Sequence, residues 1–434
     1  MIDYSFLRPQ KAIALKNFYN NPFEKKEKLT VETFSNVTIL PLQRFEHDSL
    51  LFGRGGVVNN HGDYIDSSAI SDRVQGVYEH TIQEYIDEKV VYCGFLVNQW
   101  GHFLIESVSR LWYFLEKDTT IDHYVFFLKK DEKRIISGNY REFFQLLGIW
   151  DKLKFINKPT QYREVVVPEL SYNRMNYYSE QYKAIFHKIS KTALQKKISG
   201  KKPEKIYLSR SKIKNIGRKE FGLGILDTYF FINGYKILHP EQLTLTELIT
   251  YIDGADEIAT LSGSLHHNLL FAQDNKKIII VERNVLNNEI QVDINRIKHF
   301  DTTYIDANIP IYPINVGTGP FIVACNKFMD NFTKSRNYVS VNSKEQTEKK
   351  LKNMFKQYMI CYHNIYGFEL YMEDWMVKYS DILNEGYKAG MEYFGKYLSN
   401  YSIFNIISSP RYWKNIIRKI AIRFLEPILN KLYS

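Results

Sequence analysis

Between residues 205 and 281 the sequence alternates short apolar runs with helical patterns. Strands are predicted at 205–208, 235–238, 257–261 and 278–281, and helices at 219–232, 245–253 and 265–272. Thr244 and Glu247 have the spacing of a capping box, so we interpret Glu247 as a helix cap rather than as a catalyst. Parallel strands need a crossover connection, which is usually a helix. This order therefore predicts a Rossmann-like α/β unit with a parallel sheet.

A second alternation precedes this unit. Strands are predicted at 37–40, 89–96, 123–128 and 163–167, a short helix at 142–147, and a mobile turn at 52–56. These elements predict a first α/β domain over residues 1–170. The polar, tyrosine-rich stretch 171–180 is interpreted as a linker into a second domain over residues 171–330. Residues 331–400 are polar and are predicted to be mostly helical, and residues 401–434 form a basic C-terminal segment.

A line of titratable side chains follows the predicted strand at 89–96. A helix is predicted from Gly101 to Leu115, and apolar side chains cover most of its surface. His102, Glu106 and Arg110 are spaced four residues apart and so fall on its one polar face. Ligands of open α/β sheets bind at the carboxyl ends of the strands, where this helix begins. The line indicates either an active site or a structural ion pair between Arg110 and Glu106 beside a hydrogen-bonded histidine.

A phosphate site is predicted where the strand at 257–261 turns into the next helix. Ser262, Gly263 and Ser264 are small, and the first amides of the following helix are unpaired donors. His266 or His267 can add a donor, and Arg210 and Arg218 lie in the same predicted unit. The alternative is an ordinary helix cap. The sequence contains no Asp-x-Asp pair, so a magnesium ion held by carboxylates is not predicted.

Composition and charge limit the class of protein. The chain has 434 residues and only three cysteines, which favours a reducing compartment over a disulfide framework. Neither a signal peptide nor a run of 18 apolar residues is present, so a cytoplasmic protein is expected. The net charge is +10, and residues 401–434 carry six basic residues and one acidic residue. A nucleic-acid groove would spread its charge over a folded surface, so no nucleic-acid partner is predicted.

The C-terminal segment is predicted to be a basic amphipathic helix. Ser409 can cap it with Pro410 at its first position. Its apolar face is formed by Trp413, Ile416, Ile417, Ile420 and Phe424. Such a helix favours the interface of an anionic membrane. The alternative is a last helix packed on the protein's own core.

Three blocks of residues resemble glycosyltransferase family 61, in its bacterial branch. The first block is Asn98-x-x-Gly101-His102-Phe103-Leu104-x-Glu106 with Arg110-Leu111-Trp112, and the second is Tyr207-Leu208-Ser209-Arg210 with Arg218. The third runs from Pro240 to Ala272 and includes Gly263-Ser264 and Asn268. Many members carry His-Gly where this chain has Ser262-Gly263. The resemblance implies a GT-B-like fold, with two Rossmann-like domains facing a cleft, and inverting transfer from a nucleotide sugar.

The resemblance and the residues together give a set of expectations. The expected donor-binding residues are Arg210, Arg218, Ser262, Gly263, Ser264, His266, His267, Asn268 and Glu282, although a surface carboxylate is the simpler interpretation of Glu282. Asn98 and Arg110 are expected on the acceptor side. Either His102 acts as the base with Glu106 orienting it, or Glu106 is the base. The expected donor is a UDP-linked sugar, without a metal ion or other cofactor.

The expected acceptor is a glycan or lipid-linked precursor of a bacterial capsule or lipopolysaccharide, used at the inner face of the plasma membrane. The alternative function is a non-catalytic module that binds a sugar nucleotide or a glycan.

Overall fold

The computed structural model describes residues 1–46, 50, 52–70, 73–196, 202–214, 219–341, 348–367, 376 and 379–398. The strands are β1 (Ile2–Phe6), β2 (Val31–Gln43), β3 (Arg54–Val58), β4 (Glu84–Phe95), β5 (His123–Phe127), β6 (Leu153–Ile156), β7 (Thr160–Pro168), β8 (Tyr172–Asn173), β9 (Tyr177–Tyr178), β10 (Lys205–Leu208), β11 (Glu220–Phe221), β12 (Lys236–Leu238), β13 (Glu257–Leu261), β14 (Lys277–Glu282), β15 (Asp301–Asp306) and β16 (Phe321–Ile322). The helices are α1 (Pro9–Asn20), α2 (Trp100–His102), α3 (Gly138–Leu147), α4 (Glu180–Leu194), α5 (Leu223–Ile232), α6 (Leu245–Gly254), α7 (Glu289–Ile297), α8 (Lys327–Ser335), α9 (Glu348–Tyr366) and α10 (Ser380–Leu398). The predicted α/β class is confirmed.

The first sheet has the strand order β3-β2-β7-β4-β5-β6. Strands β7, β4, β5 and β6 are parallel, as the alternation of strands and helices predicts. The edge differs from the prediction, because β2 is antiparallel to both β3 and β7. The predicted turn at 52–56 is also wrong in part, since Arg54 begins β3.

The second sheet is parallel throughout and has the order β1-β15-β14-β13-β10-β12. The predicted capping box of Thr244 and Glu247 is present at the start of α6. One prediction about the N-terminus is wrong. Residues 1–170 were expected to form one domain, yet β1 pairs with β15 at the edge of the second sheet.

Each sheet has a point where the strand order reverses. In the second sheet the chain runs from β10 outward to β12 and then returns to β13 on the other side of β10. In the first sheet it runs from β4 through β5 and β6 and returns to β7 on the other side of β4. Connections diverge at such switch points and leave a crevice at the carboxyl ends of the strands, where ligands bind. A ligand site is therefore expected among the segments that follow β4, β7, β10 and β13.

One buried apolar cluster joins the two halves of the chain. It contains Phe103 and Phe143 from the first half and Ile258 and Leu269 from the second. Helix α4 packs on α3 and also on α6. The stretch 171–180, predicted to be a linker, forms the β8–β9 hairpin, in which Tyr172 and Tyr178 are buried.

The chain after β16 is largely helical where it is described, as predicted, with α8, α9 and α10. The predicted membrane-interface helix at 401–434 lies outside the described residues. No helix among the described ones is long and apolar enough to cross a membrane.

Candidate active site

A crevice in the described part of the chain is lined by segments that follow strands of both sheets. We call it the inter-sheet cavity; its volume is about 620 Å³. Asn98, Trp100 and Gly101 line it from the segment after β4, and Arg210 lines it from the segment after β10. Ser264, Leu265 and Asn268 line it from the segment after β13. Four of the predicted site residues, Asn98, Arg210, Ser264 and Asn268, thus meet at one cavity.

Arg210 is held by a buried carboxylate. Its Nε and Nη2 atoms donate to the two oxygens of Glu220, at 3.1 and 3.0 Å. Arg283 donates to the same carboxylate. Burial lowers the pKa of Arg283 to about 10, with Glu220 opposing the shift, so the Arg283 guanidinium is charged at pH 7. Two guanidinium groups around one carboxylate leave net positive charge beside the cavity, which favours an anionic ligand.

Arg283 holds the turn after β13 through two hydrogen bonds to Ser262. The Nε atom of Arg283 donates to the Ser262 carbonyl oxygen at 2.8 Å, and its backbone N–H donates to Ser262 Oγ at 3.0 Å. Gly263 has a φ of +119°, and a Cβ atom there would lie 2.8 Å from Nη2 of Arg283. Ser262 is buried, so of the three small residues only Ser264 lines the inter-sheet cavity.

The two histidines of this segment are in the core. Residues Ser264–Phe271 form a 3₁₀ helix, and His266 and His267 are both buried in it. The Nε2 atom of His266 is 2.9 Å from Oδ1 of Asn295. Burial lowers the pKa of His266 to about 3 and that of His267 to about 4, so both rings are neutral at pH 7. The structure therefore does not bring either predicted histidine into the lining of the cavity.

Glu282 is also inside the protein, which corrects its interpretation as a surface carboxylate. It is fully buried at the end of β14. Its Oε2 accepts from Nζ of Lys11 at 3.3 Å, and its Oε1 accepts from Nε2 of Gln291 at 3.3 Å. Burial raises its pKa. With both oxygens bonded in the core, Glu282 is not in a position to contact a ribose in this conformation.

His102 and Glu106 form a contact, as their spacing predicts. The Nδ1 atom of His102 is 3.1 Å from Oε1 of Glu106, and the same oxygen accepts from Nε of Arg73 at 3.0 Å. A carboxylate partner holds the proton on Nδ1 and leaves Nε2 as the basic nitrogen. The imidazole is 24% exposed, whereas the carboxylate and the guanidinium are 9% exposed. A partly exposed imidazole is thus held in place by a carboxylate that is largely buried.

Arg110 does not join this pair. The helix changes to a π-helical turn at Phe103–Ser107, and a 3₁₀ helix follows at Leu111–Glu116, so the four-residue repeat is lost after Glu106. The guanidinium of Arg110 is buried and donates to the carbonyl oxygens of Pro168, Ser67 and Ala69. The predicted common face and the alternative Arg110–Glu106 ion pair are therefore both wrong, and Arg73 is the partner of Glu106.

Gly101 connects the two clusters. A Cβ atom at Gly101 would lie 2.6 Å from Cβ of Ser264 and 2.7 Å from Nδ1 of His267. The indole Nε1 of the preceding Trp100 donates to Oδ1 of Asn268 at 2.8 Å. These contacts set the His102 segment directly against the turn after β13.

Residues 100–279 match the glycosyltransferase 61 family model. The match supports a transferase of glycosyl groups, and it includes His102, Glu106, Arg210 and the turn after β13. It does not include Asn98, Arg73 or Arg283. No curated protein is significantly similar to the chain.

Sequence reasoning missed three charged residues of the glycosyltransferase 61 region and its surroundings. Arg283 directly follows β14, so the rule about carboxyl ends of strands could have found it beside Glu282. Arg73 carried no local signal, because its partner Glu106 comes from a different part of the chain. Glu220 lies only ten residues after Arg210, but no helix or strand spacing links the two. Arg218, a predicted phosphate contact, lies outside the described residues.

Proposed function

We propose that the chain is an inverting glycosyltransferase that moves a sugar from a nucleotide sugar, expected to be UDP-linked, to an acceptor hydroxyl. The observation that carries this proposal is the position of the inter-sheet cavity. It combines Arg210 and Ser264 at the switch point of the second sheet with Trp100 and Gly101, which directly precede His102, at the switch point of the first. A GT-B-like arrangement, with donor and acceptor held between two α/β halves, follows from the same proposal.

In the proposed reaction the acceptor oxygen attacks the anomeric carbon. A carbon–oxygen bond forms there while the bond from that carbon to the nucleoside diphosphate breaks, and the diphosphate leaves with the electron pair. The proton of the acceptor hydroxyl passes to Nε2 of His102, while Glu106 stabilises the resulting imidazolium. Direct transfer to Glu106 is the alternative. Arg210 and Ser264 stabilise the charge on the diphosphate, with Arg283 behind them.

The acceptor is proposed to be a glycan or lipid-linked precursor of a bacterial surface polysaccharide. Two sequence features support this part of the proposal: the resemblance to the bacterial branch of the family, and the basic segment 401–434, which suits the inner face of the plasma membrane.

Binding of nucleotides to Arg210→Ala tests the donor site. The melting temperature of the wild-type protein should rise with UDP concentration. Arg210→Ala should weaken UDP binding by about 1.5–3 kcal/mol, the value of a charge-assisted hydrogen bond, while uridine binding barely changes. Arg336→Ala is the matched control, because Arg336 also pairs with a buried carboxylate, that of Glu257, yet does not line the cavity.

Three outcomes would contradict the assignment of the donor site. One is a wild-type protein whose melting temperature does not respond to UDP. The others are an equal loss of uridine and UDP binding in Arg210→Ala, and an equal loss of UDP binding in Arg336→Ala. Nucleotide binding without turnover of any sugar would instead favour a non-catalytic binding module.

A further inference from the structure

A second cavity lies beside Glu106, at the switch point of the first sheet. We call it the Arg73 cavity; its volume is about 440 Å³. Arg73 and Glu106 line it on one side, and Arg174 and Asn176, from the β8–β9 hairpin that follows β7, line it on the other. The inter-sheet cavity and the Arg73 cavity adjoin the same short helical segment, the first at Gly101 and the second at Glu106. Of the His102–Glu106 pair, Glu106 lines the Arg73 cavity, and Gly101, which directly precedes His102, lines the inter-sheet cavity.

Three buried polar atoms around the Arg73 cavity have no hydrogen-bond partner among the described residues. They are Nη1 of Arg73, Nε of Arg174 and Oε2 of Glu106. A buried polar atom without a hydrogen-bond partner lowers the stability of the folded protein, and the loss is larger for charged groups. A ligand that satisfies all three must offer acceptor oxygens to the two guanidinium groups and a hydroxyl to the carboxylate.

The guanidinium groups at this cavity offer hydrogen-bond donors to an acidic ligand. Two guanidinium groups and one carboxylate are contributed by the described residues that line it. The carboxylate of Glu106 is already shared between His102 and Arg73 through Oε1. Arg174 uses Nη2 for Glu289, at 3.0 Å, and keeps its Nε without a partner. Guanidinium groups recognise planar or tetrahedral anions with paired hydrogen bonds, which a neutral hydroxyl cannot match.

We propose that the Arg73 cavity binds the acceptor, and that this acceptor sugar carries a carboxylate or a phosphate group. The acidic group would contact Arg73 and Arg174, and a hydroxyl of the same sugar would donate to Oε2 of Glu106. The identification of the ligand as the acceptor rests on the proposed function. The existence of the binding site does not depend on that function. Glu106 then contacts the acceptor sugar through Oε2, while its Oε1 keeps the contact with the imidazole of His102.

Direct binding of small sugars, without any donor, tests this inference. The probes are methyl glucuronide for the carboxylate, glucose 6-phosphate for the phosphate, and methyl glucoside as the neutral comparison, each titrated into the full chain by calorimetry. At least one acidic probe should bind about tenfold or more tightly than methyl glucoside, the factor expected for one charge-assisted hydrogen bond. The tighter of the two acidic probes identifies the group.

Arg174 supplies the matched variants. Arg174→Gln should abolish the preference for the acidic probe, and Arg174→Lys should restore part of it. Glu289→Gln breaks the same ion pair but keeps the guanidinium, so the preference should persist. The inference is overturned if the wild-type protein binds the three probes equally, or if Glu289→Gln loses the preference as fully as Arg174→Gln does. UDP binding reports on the inter-sheet cavity separately, so its absence would count against the proposed function and not against this site.

Discussion

At the scale of single residues, the junction of the two clusters depends on the absence of a side chain at Gly101. An added Cβ atom would lie within 2.7 Å of both Ser264 and His267, and these neighbours are buried or tightly packed. We expect Gly101→Ala to lower the free energy of unfolding by roughly 1–3 kcal/mol, the usual cost of overpacking. It should also weaken UDP binding, because Ser264 is displaced.

Gly224→Ala is the control for this prediction. Gly224 is in α5, and a Cβ atom there would meet nothing within 4 Å, so this variant should be neutral or slightly stabilised. Chemical denaturation of the two variants beside the wild-type protein measures the difference. A Gly101→Ala protein as stable as Gly224→Ala would show that the close contact is not as described.

Single residues also show how far the sequence could predict the site. The spacing of His102 and Glu106 was sufficient to predict their contact, because it depends on one local turn. The alternative ion pair between Arg110 and Glu106 does not form, since the helix changes its winding between them. The true partner, Arg73, comes from a distant loop, and only the folded chain brings it to Glu106.

At the scale of elements, strands were predicted better than helices. Strands β10, β13 and β14 are continuous apolar runs buried between layers, which few other structures can accommodate. The two helical segments at the site are irregular, a π-helical turn at Phe103–Ser107 and a 3₁₀ helix at Ser264–Phe271. Their winding is set by tertiary contacts at Gly101 and Arg283, which apolar periodicity does not encode.

The 3₁₀ helix Ser264–Phe271 gives a prediction about pH. Burial lowers the pKa of His266 from 6.5 to about 3, so between these values the unfolded chain binds a proton that the folded chain does not. Stability should therefore fall as the pH is lowered below 6.5, by up to about 1.4 kcal/mol per pH unit for one proton. His267, with a pKa of about 4, acts in the same direction.

The variant His266→Gln isolates this contribution. Its free energy of unfolding should fall less steeply than that of the wild-type protein between pH 7 and pH 5, as measured by denaturant titrations. Asp293, whose pKa burial raises to about 6, has the opposite effect on stability but is present in both proteins. Identical slopes for the two proteins would mean that His266 is protonated in the folded state.

At the scale of the whole molecule, the two sheets share one apolar cluster, so the candidate active site is assembled from both halves at once. The polar, tyrosine-rich stretch 171–180 is interpreted from sequence as a linker, yet Tyr172 and Tyr178 are buried. The predicted boundary at residue 170 therefore does not separate two independent cores. The composition of a short stretch does not predict which distant segments it will pack against.

The basic segment 401–434 gives a prediction for the intact protein. A chain ending at Asn400 should stay folded and keep UDP binding, but should no longer sediment with anionic liposomes. The physical reason is the loss of the basic excess, worth about 1 kcal/mol per residue at an anionic surface. Sedimentation of the shortened protein at the wild-type level, or its aggregation, would argue that the segment packs on the folded chain instead.

Turnover tests the central claim about His102 and Glu106. Glu106→Gln preserves the shape of the side chain but removes its charge, and turnover should fall roughly a hundredfold, the scale of acid–base catalysis. Glu106→Gln also removes the charge that pairs with Arg73, which should lower the free energy of unfolding by about 1–3 kcal/mol. Activity must therefore be expressed per folded molecule.

The most direct measurement is therefore the release of nucleoside diphosphate from a panel of nucleotide sugars, with and without acidic and neutral sugar acceptors. The wild-type protein should release diphosphate from at least one donor in an acceptor-dependent manner, and His102→Ala and Glu106→Gln should each lose most of that release. No acceptor-dependent release from any donor, or near-normal release by both variants, would contradict the assignment of this site as a glycosyltransferase centre.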